Sequence, residues 1–168
     1  MKRSFVLIGT FGLLACTVGC SSNPRETVLN ATIGTVDKAA AQLRNIKANI
    51  TAALEKSDKE KKPLTEDEFK PAIAAAAELK KVAKEKQTLR DQADALKDST
   101  TKEEREELSK KYRDRWEGAM VQLVKAQTEV SQAIKQVEDR GGNDRNAVES
   151  LKKALSEAQG EFEGLTKQ

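Results

Sequence analysis

The chain is 168 residues long, with 34% charged residues, 4% aromatic residues and no histidine. The lack of imidazole excludes every catalytic arrangement built on it and removes a common zinc ligand. Both cysteines, Cys16 and Cys20, fall within the first twenty residues, so no disulfide framework can staple the rest, and 9 Gly with 3 Pro are too few for a turn-rich β-sandwich.

Lys2 and Arg3 open the chain, and Ser4 to Ala15 follow without a charge. About a dozen apolar residues fall short of the roughly 20 that a membrane-spanning helix needs. They match the apolar region of a secretory signal. Two cysteine motifs come next, Leu13-Leu14-Ala15-Cys16 and Thr17-Val18-Gly19-Cys20. This run resembles the signal of bacterial lipoproteins, which ends in Leu-x-(Ala/Gly)-Cys, the cysteine becoming the acylated first residue. Cys16 has the leucine three places before it, at Leu13. Cys20 lacks that leucine but gives the longer signal, and Gly19-Cys20-Ser21-Ser22-Asn23 resembles the processed start of the Braun-type lipoprotein. Acylation at Cys20 leaves no free thiol, whereas acylation at Cys16 strands Cys20 in an oxidising compartment. Cys20 is therefore the preferred lipidation site and Cys16 the alternative.

The resemblance, which covers only the signal and about four residues after it, implies a signal peptide over 1–19 and an acylated tether over 20–23, and leaves 24–168 for a helical domain. It also implies attachment to the cell envelope through N-terminal acyl chains such as palmitate. Ser21, standing where an aspartate retains such proteins at the inner membrane, implies the outer membrane, facing the periplasm, in a cell with two. Losing Lys2 and Arg3 lowers Lys+Arg from 30 to 28 against 27 acids, so the mature charge is +1. A balance so near zero offers no basic footprint for nucleic acid.

The first helix is expected over about 24–57. Ser22-Asn23-Pro24 supplies a cap and a proline at the first helical position. Leu29, Val36, Leu43 and Ile50 recur every seven residues, with Ile33, Ala40 and Leu54 in the neighbouring row and Lys47 as the odd member. The second is expected over about 66–98. Thr65 with Glu68 has capping-box spacing, Leu64 with Phe69 staple spacing, and Pro71 suggests one short turn and then a kink. Its seam is Ala72, Ala75, Leu79, Val82, Leu89, Ala93 and Leu96, interrupted by Lys86, whose stem can lie along an apolar surface.

Thr100 or Thr101 caps the third helix, about 102–139, with Glu103 or Glu104 three residues on. Trp116, Leu123, Val130 and Val137 form one row, and Tyr112, Ala119, Ala126 and Ala133 another. Met120 and Ile134 widen the stripe enough for two neighbours. Gly141-Gly142-Asn143 stops this helix and starts the last, about 144–166, with Val148, Leu151, Leu155, Ala158, Phe162 and Leu165 on one face. Short connectors make consecutive helices antiparallel. The expected fold is all-α, an elongated antiparallel bundle of three long helices and a shorter C-terminal one with coiled-coil-like packing. A long hairpin or an oligomeric coiled coil is the alternative. A core this rich in alanine, with Phe69, Tyr112, Trp116 and Phe162 as its only aromatics, is not expected to enclose a roomy cavity.

Few constellations point to chemistry. Glu66-Asp67-Glu68 lacks the interleaved oxygen ligands of a calcium loop and suits a helix's first turn. Glu103-Glu104-Glu106-Glu107 also opens a helix, with Lys110 and Lys111 placed to pair with Glu106 and Glu107. Gly160 and Gly164 have close-contact spacing, but Glu161 and Glu163 exclude a membrane helix. Lys110, Lys111, Arg113, Arg115 and Trp116 form the one candidate contact for a partner or an anionic surface. Against that, Trp116 lies on the row to Leu123 and is expected to be largely buried. Ser109-Lys110 and Ser150-Leu151-Lys152 are incidental pairs, so no catalytic residue, metal or cofactor is expected. The expected function is non-enzymatic: a lipid-anchored helical scaffold, spacer or partner-binding module, with an envelope protein, a wall polymer or a second copy as partner. A ligand- or cargo-binding bundle is the alternative.

Overall fold

The computed structural model describes residues 23–140 and 145–163. The expected signal peptide, both cysteines, Asn143, Gly164 and Leu165 lie outside the described residues, as does the side chain of Phe162. The described chain is an all-α bundle of four helices, three long and one shorter: α1 (Pro24–Glu60), α2 (Glu66–Ala95), α3 (Lys102–Asp139) and α4 (Arg145–Glu163).

The starts obey local chemistry. Asn23 Oδ1 accepts from the Arg25 N–H at 3.0 Å, and Pro24 follows at the first position, where a missing N–H costs nothing. Glu68 Oε2 accepts from the Thr65 N–H at 2.9 Å, and Leu64 and Phe69 are both buried. Thr101 and Glu104 exchange bonds of 3.1 and 3.2 Å, which settles the cap of α3 on Thr101 rather than Thr100. α1 runs three residues past Ser57 because Lys61 adopts left-handed geometry (φ 49°) and closes the helix. α2 passes through Pro71 as one assigned helix, without the separate turn expected. Pro71 is its sixth residue, so the bond forfeited is to the carbonyl of Asp67, which is exposed in the first turn and can meet water.

α1 is the spine. It packs along both α2 and α3, and α4 packs on α2 and touches α3. Among the described residues α2 does not pack on α3, nor α1 on α4, so α4 fills the side of the bundle opposite α1. Cross-helix bonds set the levels. On α1 and α2, Arg25 donates to the Leu96 carbonyl, Lys38 pairs with Glu85 (2.6 Å) and Lys56 with Glu68 (3.9 Å). Numbers thus rise on α1 as they fall on α2. On α1 and α3 they rise together: Lys111–Glu26 (2.7 Å), Lys47–Glu129 (3.2 Å), Arg140–Asp58 (2.6 Å). We call the end holding Pro24, Ala95 and Lys102 the head, and the end holding Glu60, Glu66 and Asp139 the foot.

From the rows read from the periodicity, the core takes Val36, Leu43 and Ile50 on α1, Leu79 and Val82 on α2, and Leu123, Val130 and Val137 on α3, widened on α1 by Ala39 and Ile46. Thr35, fully buried beside them, donates to the carbonyls of Ala31 and Thr32. Leu151, Leu155 and Ala158 are 0%, 2% and 0% exposed, so α4 docks. Gly160 is exposed and a Cβ there would meet nothing within 4 Å, so it is not a site of close helix contact. Leu155→Asp would bury an unpaired charge and should cost several kcal/mol, roughly 3 or more, whereas exposed Glu149→Gln should cost only tenths. Chemical denaturation of the two variants checks this. Matching midpoints would mean that α4 contributes no stability.

Candidate functional site

Lys152 pairs with Glu138 near the foot, and Glu157 pairs with Lys80 midway along α2. α4 therefore climbs beside α2, and its last described residue, Glu163, comes roughly level with Lys86. Toward the head from that level the described part of α4 ends, while the three long helices continue. Here the seam expected on α2 fails to close. Leu89 and Leu96 are half-buried and Ala93 is exposed, although Leu79 and Val82 below them are buried. The row on α3 behaves alike: Leu123, Val130 and Val137 are 1–2% exposed, but Trp116 is only half-buried. Trp116 was expected to be largely covered; it stands beyond the last described turn of α4 and is half-buried.

The result is a groove of about 600 Å³ between α2 and α3, with α1 beneath it. It is an open surface, a different thing from the roomy cavity that the core was not expected to enclose. The space is the uncovered head of the bundle, not a void in its thin core. Val28, Leu29, Ala93, Leu108 and Trp116 supply apolar surface, and the walls carry five cations, Arg25, Lys86, Arg90, Arg105 and Arg113, against two carboxylates, Asp94 and Glu117. Arg105, Ser109, Arg113 and Glu117 are exposed, so the groove opens to solvent. Lys86 is 4% exposed, and burial, with the nearby Arg90 charge, pushes its ammonium pKa below the ordinary lysine value.

The basic aromatic segment expected as one contact surface divides three ways. Tyr112 is buried and ties α3 to α1: its hydroxyl donates to Glu26 and accepts from Asn30 Nδ2 at 3.0 Å. Lys111 and Arg115 flank it. Lys111 pairs with Glu26, Arg115 donates to Asn30 Oδ1 at 2.7 Å, and each cation stands 5.5 Å from the centre of the tyrosine ring. The expected helical pair of Lys111 with Glu107 gives way to the acid across the interface, while Glu106 meets Lys102 (3.8 Å) rather than Lys110. Arg113 and Trp116 face the groove, and Lys110 borders a shallow depression with Lys102, Arg105 and Ser109 on the outer face of α3.

Arg25, Lys86, Arg90 and Arg105 were not singled out with them, since they come from three helices far apart in sequence. One signal could have found them. The α2 seam reaches Leu96, further toward the head than a last helix of about twenty residues can cover.

Among the described residues no helix is long and apolar enough to cross a membrane, and no three His, Cys, Asp or Glu side chains gather as metal ligands. No family model, curated protein or solved structure matches the chain.

Removing the Tyr112 hydroxyl leaves Glu26 and Asn30 each short of a partner, so Tyr112→Phe should lower stability by about 1 kcal/mol. The Glu26 carboxyl lies below its ordinary value of 4.5, first through the Lys111 bond and then through the Tyr112 bond. A depressed acid adds stability that is present above pH 4.5 and lost as pH falls through the folded value. Glu26→Gln should therefore flatten the acid limb of the stability profile, as read by urea titrations from neutral pH downward. An unchanged limb would remove Glu26 from the tie.

Proposed function

We propose that this chain is a non-enzymatic lipoprotein of the bacterial envelope, a helical scaffold that docks a partner protein. In this reading acyl chains on Cys20, or on Cys16, hold it in the membrane, with the outer membrane facing the periplasm as its place in a cell with two. An elongated antiparallel bundle with coiled-coil-like seams stands on that tether. The observation that carries the reading is the groove, where rows buried at the foot run out uncovered at the head. Half-buried Trp116 and Leu108 beside exposed arginines match the aromatic and arginine character of protein-binding surfaces. A tether of four residues from Cys20 to Pro24 reaches at most about 14 Å, which would hold the head, and the groove with it, close to the bilayer.

The chemistry available supports a non-enzymatic role. With no histidine, and with both cysteines in the segment assigned to signal and tether, an activated nucleophile would need a Ser-Lys or carboxylate scheme. The alternative, a bundle that carries a small cargo, draws on the groove's volume, which lies within the roughly 300–1,000 Å³ of ligand pockets. Its exposed rim favours a body seated on the surface over an enclosed one.

Two measurements test the proposal. Labelled fatty acid should enter the wild type and Cys16→Ala but not Cys20→Ala. The reverse pattern moves the anchor to Cys16, and no label in any of them removes the lipoprotein reading. A photo-crosslinker replacing exposed Ser109 should capture a discrete protein in the native envelope, whereas one replacing exposed Ser131, outside the groove, should not. A small-molecule adduct at 109 would favour cargo, and no adduct there would overturn the groove as the working surface.

A further inference from the structure

α4 shows what kind of body the trough between α2 and α3 accepts. At the foot it presents Leu151, Leu155 and Ala158 inward, and its Glu157 meets Lys80 on the α2 wall. Toward the head the same trough offers half-buried Val28, Leu29, Leu108 and Trp116, so apolar receptors are present without a described helix to fill them. Its length along α3, from Arg105 to Glu117, is about 18 Å, or a little over three helical turns. Cations stand on both walls, Arg90 on α2 and Arg105 and Arg113 on α3, and outnumber carboxylates five to two. At the groove, the Arg25 Nε is shut off from solvent with no acceptor.

We infer that the head of the trough docks an acidic amphipathic helix of a partner protein, about three turns long, in line with α4. Apolar side chains at i, i+3 or i+4, and i+7 would rest on the floor, with acids on both flanks reaching the arginines. The inference rests on the docking function proposed above and names the chemistry of what docks. Gly164 to Gln168, which follow α4 in the sequence, carry Lys167 and no acidic side chain, so they do not match the cations of the groove. A lipid headgroup would meet one patch of cations, whereas these line two facing walls, as the two flanks of a helix require.

The test uses the full mature chain in neutral detergent and its single tryptophan, Trp116, as the reporter. The probe is a synthetic amphipathic peptide of about fourteen residues, leucine on one face and glutamate on both flanks; a second peptide carries lysine for glutamate. We expect a saturable blue shift with the glutamate peptide, binding at least about tenfold tighter than the lysine peptide and weakening with salt. Arg105 and Arg113 are exposed, so R105E/R113E should melt like the wild type yet reverse the preference between peptides. Any of four results would overturn the acidic-helix assignment: no saturable shift, equal binding of both peptides, a shift only with phosphatidylglycerol vesicles, or a concentration-dependent shift with no peptide present. If the crosslinker at position 109 captures a protein while the glutamate peptide fails, partner docking stands and only the acidic chemistry falls. If both fail, the docking reading falls with it.

Discussion

A helical bundle closes its core only along the length its shortest member covers, and here the described part of α4 has 19 residues against 37, 30 and 38 in the other three. α4 covers mainly α2, on the side that α1 does not reach, and only touches α3. Where α4 lies, leucines and valines fall to a few per cent exposure. Past its last described turn, Leu89 on α2, Leu96 at its end and Trp116 on α3 are only half-buried. At roughly 25 cal/mol per Å² of apolar surface, those uncovered residues forgo stabilisation that a fourth long helix would supply. The length mismatch therefore costs stability at the head, and the groove is the form that cost takes.

The head holds its shape without α4 because polar ties replace the missing burial. Arg25 reaches over to the carbonyl of Leu96 at the end of α2. Tyr112 with Glu26, Asn30, Lys111 and Arg115 stitches α3 to α1. Exposed ion pairs alone contribute little, about 0–1 kcal/mol each. Those around Tyr112 are anchored on a buried ring whose hydroxyl must keep its partners. The walls of the groove are thus set before anything enters, and a surface fixed in advance binds at lower entropic cost.

The same ties sort the charges. Lys111 and Arg115 are spent on α1, which removes them from any contact surface. Arg113, two residues from each, and Arg105, under two turns from Lys111, remain on the groove wall. A net mature charge of +1 on the proposed processed chain conceals this separation, since acids concentrate at helix starts and between helices while the groove keeps an excess of cations. This local field, not the overall balance, would steer an acidic partner.

Much of the fold was legible without coordinates, for a local reason. Capping side chains act within three residues of the bond they make, so Asn23, Thr65 and Thr101 marked the starts of their helices correctly. Seven-residue periodicity brought out Val36, Leu43, Leu79, Leu123 and Val130 as core because a helix displays its own face whatever it packs on. Pro71 does not set off the separate turn expected, because the orphaned Asp67 carbonyl lies in an exposed first turn, which no spacing states. The candidate site lay further out of reach. Periodicity placed Trp116 and Ala93 on seams but could not say how far a neighbour covers them. Coverage is a relation between helix lengths and levels, and levels are set by contacts such as Lys80–Glu157 across 77 positions of chain. The sequence by itself determined which faces are apolar and where helices begin. Only the tertiary structure decided which stretch of those faces is left open, because burial depends on what lies opposite.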